Sequence, residues 1–241
     1  MFPRQSIPLI LSAAMLAACS GGSSPPPSSA PAAPPVAANE AQAAKEAALY
    51  EQMRESGSWD VALTLGNEVV TKFAGTQAAA QVQQTLGDVR AKGEAQANQK
   101  RLARLWIYTA TPEAGGTQYA AAIASRNALG GSAKVRLVLR QHPKWGQSVY
   151  LLLDAATFDC HKGCATLPVS FDGAPAQRMK ATVPPTGEPA LFIDDDKAFI
   201  ARLQKSQTVA VTATIKDLGE KTMEFEVGGY DPAKLPQKPK K

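Results

Sequence analysis

The sequence predicts an α+β protein in which an N-terminal helical hairpin is followed by a mainly antiparallel β-sandwich with one inserted helix. Residues 39–104 carry apolar side chains at helical spacing. Residues 105–235 carry short runs in which apolar and polar side chains alternate, which is typical of half-buried strands. Within this second region, the segment after residues 194–196 returns to helical spacing and predicts the inserted helix.

A short apolar segment at the N-terminus predicts export. The single positive charge of Arg4 precedes an apolar run over residues 7–18, which is shorter than the roughly 20 residues of a membrane-spanning helix. The run ends in the tetrapeptide Leu16-Ala17-Ala18-Cys19. This tetrapeptide resembles the lipobox of bacterial lipoprotein precursors, which implies cleavage of residues 1–18 and attachment of lipid to Cys19. The alternative is an ordinary signal peptide in which this cysteine is incidental.

The lipobox resemblance also implies a location. Ser20 follows the cysteine, where an aspartate would be the retention signal for the inner membrane. We therefore expect an anchor in the outer membrane that faces the periplasm, with the membrane itself as a partner through the lipid. The formal net charge is only +5, from 26 basic and 21 acidic residues, and does not indicate nucleic-acid binding.

Two segments are expected to lie outside the folded region. Residues 19–38 contain, after the cysteine, only Ser, Gly, Pro, Ala and one Val, a composition that cannot form a core and is typical of a tether. Residues 236–241 carry three lysines and two prolines and are expected to be a solvated basic tail.

The helical region reads as three segments. Residues 40–55 are rich in good helix formers, Ser58 is placed to cap a second helix, and Gly75 with Thr76 marks the start of a third. The second and third segments resemble one helical hairpin of a tetratricopeptide-type repeat over about 35 residues. The alternative is a hairpin that packs on the next domain or on another chain.

The second helix carries an apolar face at helical spacing. We expect this face to be buried against the third helix or the β domain, with part of it left for a protein partner. Its members are the candidate binding residues Trp59, Leu63, Val70 and Phe73.

The strands that alternate clearly lie in five runs. The inserted helix between the third and fourth runs is expected to begin at a cap among Asp194, Asp195 and Asp196 and to bury Phe199, Ile200 and Leu203. The strand runs are those around Val135–Leu139, Val149–Leu153, Ala165–Phe171, Val209–Ile215 and Met223–Val227.

Cys160 and Cys164 form the strongest local motif of the β region. In an oxidising compartment, an even pair within a short loop predicts a disulfide. A zinc or copper site that uses both cysteines and His161 is the alternative, together with a redox-active thiol pair. The order of the residues does not fit a c-type haem site, and no cofactor is expected.

No catalytic constellation is evident. His142 precedes a proline in a turn, His161 lies inside the cysteine loop, and neither belongs to a recognisable catalytic motif. The carboxylates of Asp194–Asp196 suit a cation site as well as a helix cap, and capping needs no further assumption. Trp59, Trp106 and Trp145 are interpreted as core or rim residues rather than a sugar platform.

The region from Trp106 to Tyr230 resembles exported proteins of Gram-negative bacteria that have no assigned activity and, more distantly, invasion-associated-locus-B-like and type VI secretion accessory proteins. The segments that carry the resemblance are Phe158 to Gly173, Ala190 to Ile193, Phe199 to Leu203 and Met223 to Tyr230. It implies a compact β domain and no catalytic residues. The predicted function is therefore a lipid-anchored, non-enzymatic binding or assembly module with an envelope protein as partner. The alternative is a cell-wall-acting enzyme or a sugar-binding domain.

Overall fold

The computed structural model describes residues 35–160, 164–185 and 187–236, with side chains from residue 38 onwards. The predicted signal segment, Cys19, most of the tether, His161 and the last five residues of the basic tail lie outside the described residues. None of the helices in the described ranges combines the length and hydropathy that a membrane span requires.

Three helices form the N-terminal part of the described chain: α1 (Pro35–Glu55), α2 (Trp59–Lys72) and α3 (Gln77–Leu105). The first begins at Pro35, inside the predicted tether, because proline is well tolerated at the first helical position and alanines follow it. Thr76 caps α3 as predicted, since its hydroxyl accepts a hydrogen bond from the Ala79 N–H. Ser58 occupies the N-cap position of α2 without a side-chain capping bond.

The predicted hairpin is part of a three-helix bundle. Helix α1 packs against both α2 and α3, so it covers the apolar face that a lone hairpin would leave open. The buried residues at the centre of the bundle are Tyr50, Ala62, Val69, Ala79, Val82, Leu86 and Val89.

Nine strands follow in the described chain. They are β1 (Trp106–Glu113), β2 (Gly116–Ala124), β3 (Val135–His142), β4 (Gly146–Leu153), β5 (Thr166–Phe171), β6 (Gln177–Thr182), β7 (Ala190–Ile193), β8 (Thr208–Ile215) and β9 (Gly219–Glu226). Helix α4 (Asp196–Leu203) lies between β7 and β8, and a short 3-10 helix (Pro232–Lys234) follows β9. The α+β class with one inserted helix is confirmed.

The predicted sandwich takes the form of one continuous sheet folded over one core. The strand order is β1-β2-β3-β4-β7-β6-β5-β8-β9, with antiparallel pairing throughout. The chain after β2 reaches the far edge strand, where the Arg126 N–H donates to the Glu224 carbonyl oxygen at 2.8 Å. Because each strand contributes side chains to the same core, the two halves of the sheet pack face to face.

Four strands lie outside the five predicted runs. Strand β7 is only four residues long and mostly buried, so it shows no alternation. The other three are β1, β2 and β6. The exposed end of β1 and most of β2 contain Thr, Ala, Gln and Gly, so the alternation of apolar and polar residues is weak there. Strand β6 is mostly exposed and polar, with Ala181 as its buried residue. These strands are held by pairing with their neighbours rather than by an apolar pattern of their own.

The bundle joins the β domain without a loop, because α3 ends at Leu105 and β1 begins at the next residue. The Arg101 guanidinium donates to both carboxylate oxygens of Glu226 on β9, at 3.1 and 2.9 Å. Gly229 lies directly against the backbone of Leu102 in α3, where a Cβ atom would collide with main-chain atoms. These contacts fasten the C-terminal segment across the end of α3.

Candidate binding surface

Helix α2 buries a narrower stripe than the sequence predicts. Its buried residues are Ala62, Gly66 and Val69. A Cβ atom at Gly66 would lie 2.9 Å from the Tyr50 ring, so this glycine lets α1 approach α2 closely. The small residues thus face the bundle core, and the larger apolar residues of α2 lie beside that contact.

The four predicted binding residues are half-buried, so part of the surface of each remains exposed. They are Trp59, Leu63, Val70 and Phe73. The first three pack partly against the bundle core, whereas Phe73 forms the C-terminal cap of α2. Trp59 and Phe73 lie about 21 Å apart along the helix axis, at 1.5 Å per residue, so the four residues do not form one compact patch.

Trp59 and Leu63 meet α3 at a second close contact. A Cβ atom at Gly93 would lie 2.7 Å from the Trp59 carbonyl oxygen and 3.0 Å from the Leu63 Cβ atom. The Lys92 ammonium lies 4.2 Å from the centre of the Trp59 ring, within the range of a cation–π contact. The missing side chain of Gly93 permits this contact.

An open groove of about 530 Å³ runs between α2 and α3 beside this contact. Its apolar floor includes Leu63 and Leu65, and Val61 at its edge is 44% exposed. The groove is lined by Asp60, Val61, Leu63, Thr64, Leu65, Gly93, Glu94 and Ala97.

Polar contacts fix the end of the groove where α2 begins. The Asp60 carboxylate accepts a hydrogen bond from Lys100 at 2.6 Å, and this bond holds the pKa of that carboxyl below its ordinary value. Gln96 accepts from the Asp60 N–H at 3.1 Å and donates to the Gly57 carbonyl oxygen at 3.1 Å. The groove is therefore preformed, with an apolar floor and acidic side chains at its rim, and it suits an apolar protein segment.

A second groove of about 530 Å³ lies between α1 and α3. Glu40 at its end accepts hydrogen bonds from the N–H groups of Gln77 and Ala78, at 3.2 Å each, and so ties α1 to the start of α3. Its walls include several alanines, among them Ala44 and Ala47. The sequence gives no sign of this groove, because alanine-rich helices show little contrast between their faces.

The cysteine motif forms a disulfide. Cys160 and Cys164 are bonded, with their Cα atoms 5.0 Å apart. Just before the bridge, the Asp159 N–H donates to the Thr214 carbonyl oxygen at 2.9 Å, and Phe158 forms a β-bridge with Ile215. The disulfide therefore constrains the segment after β4 next to the place where that segment pairs with the end of β8.

The carboxylates before α4 have structural partners. Asp195 caps α4 by accepting from the Ala198 N–H at 3.2 Å, and Asp194 accepts from the Thr182 hydroxyl at 3.0 Å. Among the residues that the structure describes, no group of three or more His, Cys, Asp or Glu side chains is arranged to hold a metal ion.

The tyrosine with the largest pKa shift belongs to the core of the β domain. Burial, followed by the nearby Tyr108 and Asp231, raises the pKa of Tyr230 to about 12. The Tyr230 ring lies 5.1 Å from the Trp106 ring, and the Tyr108 hydroxyl accepts from the Asp231 N–H at 2.7 Å. This cluster fixes the C-terminal segment.

The sequence interpretation missed a cluster at the β3–β4 hairpin. Trp145 is 67% exposed and stacks on the buried ring of His142, with centroids 3.9 Å apart. The Arg140 guanidinium carbon lies over the rings of Trp145 and Tyr150, 5.6 and 5.3 Å from their centres. The alternation of the hairpin places Arg140 and Tyr150 on one face, but only the cross-strand register brings them together.

Comparisons with known proteins show a distant structural likeness. No protein-family model matches the chain, and no curated protein matches it significantly. Among solved structures, the chain is similar to invasion associated protein B from Bartonella henselae, with 17% identity and a TM-score of 0.37, over 54% of this chain and 87% of that one. At this distance the likeness bears on neither the function nor the site residues.

Proposed function

We propose that the protein is a lipid-anchored, non-catalytic binding or assembly module of the cell envelope, and that the α2–α3 groove receives an apolar segment of a protein partner. The preformed groove carries this proposal: apolar residues line its floor, and Val61 is 44% exposed at its edge. An apolar groove between two helices is a surface that can receive the apolar face of a partner segment.

The lipid anchor is the second part of the proposal. The lipobox tetrapeptide ending in Cys19 supports it, and the disulfide supports an oxidising compartment such as the periplasm. We expect the outer membrane, facing the periplasm, to be its location. The tether then holds the folded part away from the lipid surface.

The anchor is tested by Cys19→Ser. We expect this variant to lose incorporation of labelled palmitate, because a hydroxyl does not form the thioether. The Cys160→Ser variant serves as the control and should be labelled like the parent chain. Labelling of the Cys19→Ser variant at the parent level would contradict the anchor.

The groove is tested by site-specific photo-crosslinking in intact envelopes. A photoreactive residue at Val61 should give one discrete product with an envelope protein, whereas the same residue at Leu49 should not. Leu49 is the matched control, because it is also 44% exposed and lies on α1 outside the groove lining. The Leu65→Glu change should then abolish the Val61 product while the bundle keeps its circular dichroism. Equal products at both positions would contradict a specific groove.

A further inference from the structure

We propose that Arg140, Trp145 and Tyr150 form a binding site for a carboxylate side chain in a short acidic peptide segment of a protein partner. The site lies on the outer face of the β3–β4 hairpin. It goes beyond the proposed function, which places a partner on the helical bundle, and it takes from that function only that partners are proteins.

The register of the sheet builds the site. Leu137 and Leu139 of β3 point into the core, so Val138 and Arg140 point outward. Arg140 pairs with Ser148 on β4, and Val138 pairs with Tyr150. Phe192 of β7 pairs with Tyr150 in turn and lies 4.9 Å from it, ring to ring. An arginine thus stands next to an apolar row of three residues on an outer sheet face.

The guanidinium of Arg140 is held in place without a carboxylate. Its Nε–H donates to the Ser148 hydroxyl at 3.1 Å. Its central carbon lies 5.6 Å from the Trp145 ring centre and 5.3 Å from the Tyr150 ring centre. Among the described residues it forms no ion pair, whereas Arg136 on the same strand is paired with Asp154 at 2.7 Å. The remaining N–H donors of Arg140 are therefore available to a ligand.

Trp145 is exposed and yet fixed. It is 67% exposed, and one face of its ring stacks on His142 at 3.9 Å and 19°. That histidine is buried, and its Nδ1 atom accepts from the N–H groups of Lys144 and Trp145 at 3.0 and 3.2 Å. A ring held in this way loses little freedom when a partner covers it, which is typical of the aromatic anchors of interfaces.

The charge of the hairpin selects the partner. Residues 135–153 include Arg136, Arg140 and Lys144 and no Asp or Glu, although Glu188, from the segment before β7, lies near Tyr150. A planar guanidinium binds a carboxylate through two parallel hydrogen bonds, and the aromatic walls exclude water from that contact. Val138 in the row beside it is buried, so the half-buried rings of Tyr150 and Phe192 are the part of the row that can receive the side chains next to the acidic residue. Charge and shape together favour a peptide in which a glutamate is flanked by aromatic residues.

The test is a fluorescence-polarisation titration of the full chain with a fluorescein-labelled peptide Gly-Phe-Glu-Phe-Gly. We expect saturable binding and a loss of at least about tenfold in affinity when glutamine replaces the glutamate of the peptide. Arg140→Gln and Trp145→Ala should each weaken binding by at least about tenfold, with Arg140→Lys between the parent and the glutamine variant.

Arg178→Gln is the matched control. The Arg178 Nε–H also donates to a hydroxyl, that of Thr166, at 3.0 Å, but no aromatic ring flanks it among the described residues. This variant should bind like the parent. Thermal unfolding of every variant shows whether weaker peptide binding comes from the changed site or from an unfolded chain. If Arg140→Gln does not fold, the affinity of Arg140→Lys decides the test.

Several results would overturn the proposal. They are equal binding of the glutamate and glutamine peptides, and a peptide affinity that Arg140→Gln leaves unchanged. Binding of phosphatidylglycerol vesicles or of N-acetylglucosamine oligosaccharide through Trp145, without binding of the peptide, would also overturn it. Leu65→Glu in the groove should not change peptide binding. Failure of the peptide test together with an intact Val61 crosslink would reject this site and leave the proposed function standing.

Discussion

In the β domain, large apolar side chains from most of the described strands and from α4 meet in one core, whereas the helical bundle packs around alanines, valines, Leu86 and the ring of Tyr50. Helices with small residues at their contacts approach each other closely, and their larger apolar residues are displaced to the flanks of the contact. In a sheet, large side chains are not displaced to the flanks in this way, because alternation sends every second side chain into the core. The bundle therefore leaves several of its larger apolar side chains half-buried beside its helix contacts, whereas the β domain buries most of its large apolar side chains in one core.

The largest expected effect contrasts a phenylalanine from each region. Phe199 on α4 is fully buried and lies 5.5 Å from the Phe171 ring, so Phe199→Ala should cost about 3–5 kcal/mol of unfolding free energy. Phe73 is half-buried at the end of α2, and Phe73→Ala should cost about 1 kcal/mol. Chemical denaturation of both variants measures the difference. Equal costs would contradict the division between the two regions.

The next effect tests the close helix contact with two glycines of α3. Gly93→Ala should lower the unfolding free energy by about 1–3 kcal/mol, because its Cβ atom would press on the Trp59 carbonyl oxygen. Gly87→Ala, where a Cβ atom meets nothing within 4 Å, should raise it by about 0.5–1 kcal/mol. Thermal unfolding decides between them. A stabilising Gly93→Ala change would show that α2 and α3 are not in close contact.

The smallest expected effect concerns Asp172 in the β domain, whose carboxylate accepts hydrogen bonds from two backbone N–H groups, as that of Glu40 does in the bundle. Asp172 accepts from Gln207 and Thr208 at 2.8 and 2.9 Å, and these bonds hold the pKa of that carboxyl below its ordinary value. Its stabilisation is therefore present above the unfolded pKa of about 3.9 and is lost as pH falls through the lower folded pKa.

Asp172→Asn isolates that charge, because asparagine keeps an acceptor oxygen and tolerates the positive φ of 51° at this turn. The parent should be modestly more stable than this variant near neutral pH, and the two should converge as pH falls through the folded pKa. Urea unfolding over a pH series measures the gap. A gap that stays constant down to about pH 2 would contradict a role for the charge.

Local patterns in the sequence predicted much of the architecture. Helical spacing over residues 39–104 predicted helices, and alternation in five later runs predicted β3, β4, β5, β8 and β9, because helices and strands impose different periods on their buried residues. The cap at Thr76, the helix after Asp195 and the disulfide in the short cysteine loop also follow from residues that are close together in the chain.

Only the tertiary structure decided which apolar residues are buried and which stay partly exposed. Whether Ala62 or Leu63 faces the bundle core depends on how closely α1 and α3 approach α2. Gly66 and Gly93 permit these close approaches, and the residues that they contact are far away in the sequence. The position of Arg140 over the rings of Trp145 and Tyr150 likewise depends on the register between two strands. Periodicity reports that a side chain lies on an apolar face, but burial is settled by the neighbour that covers this face, and no local pattern encodes that neighbour.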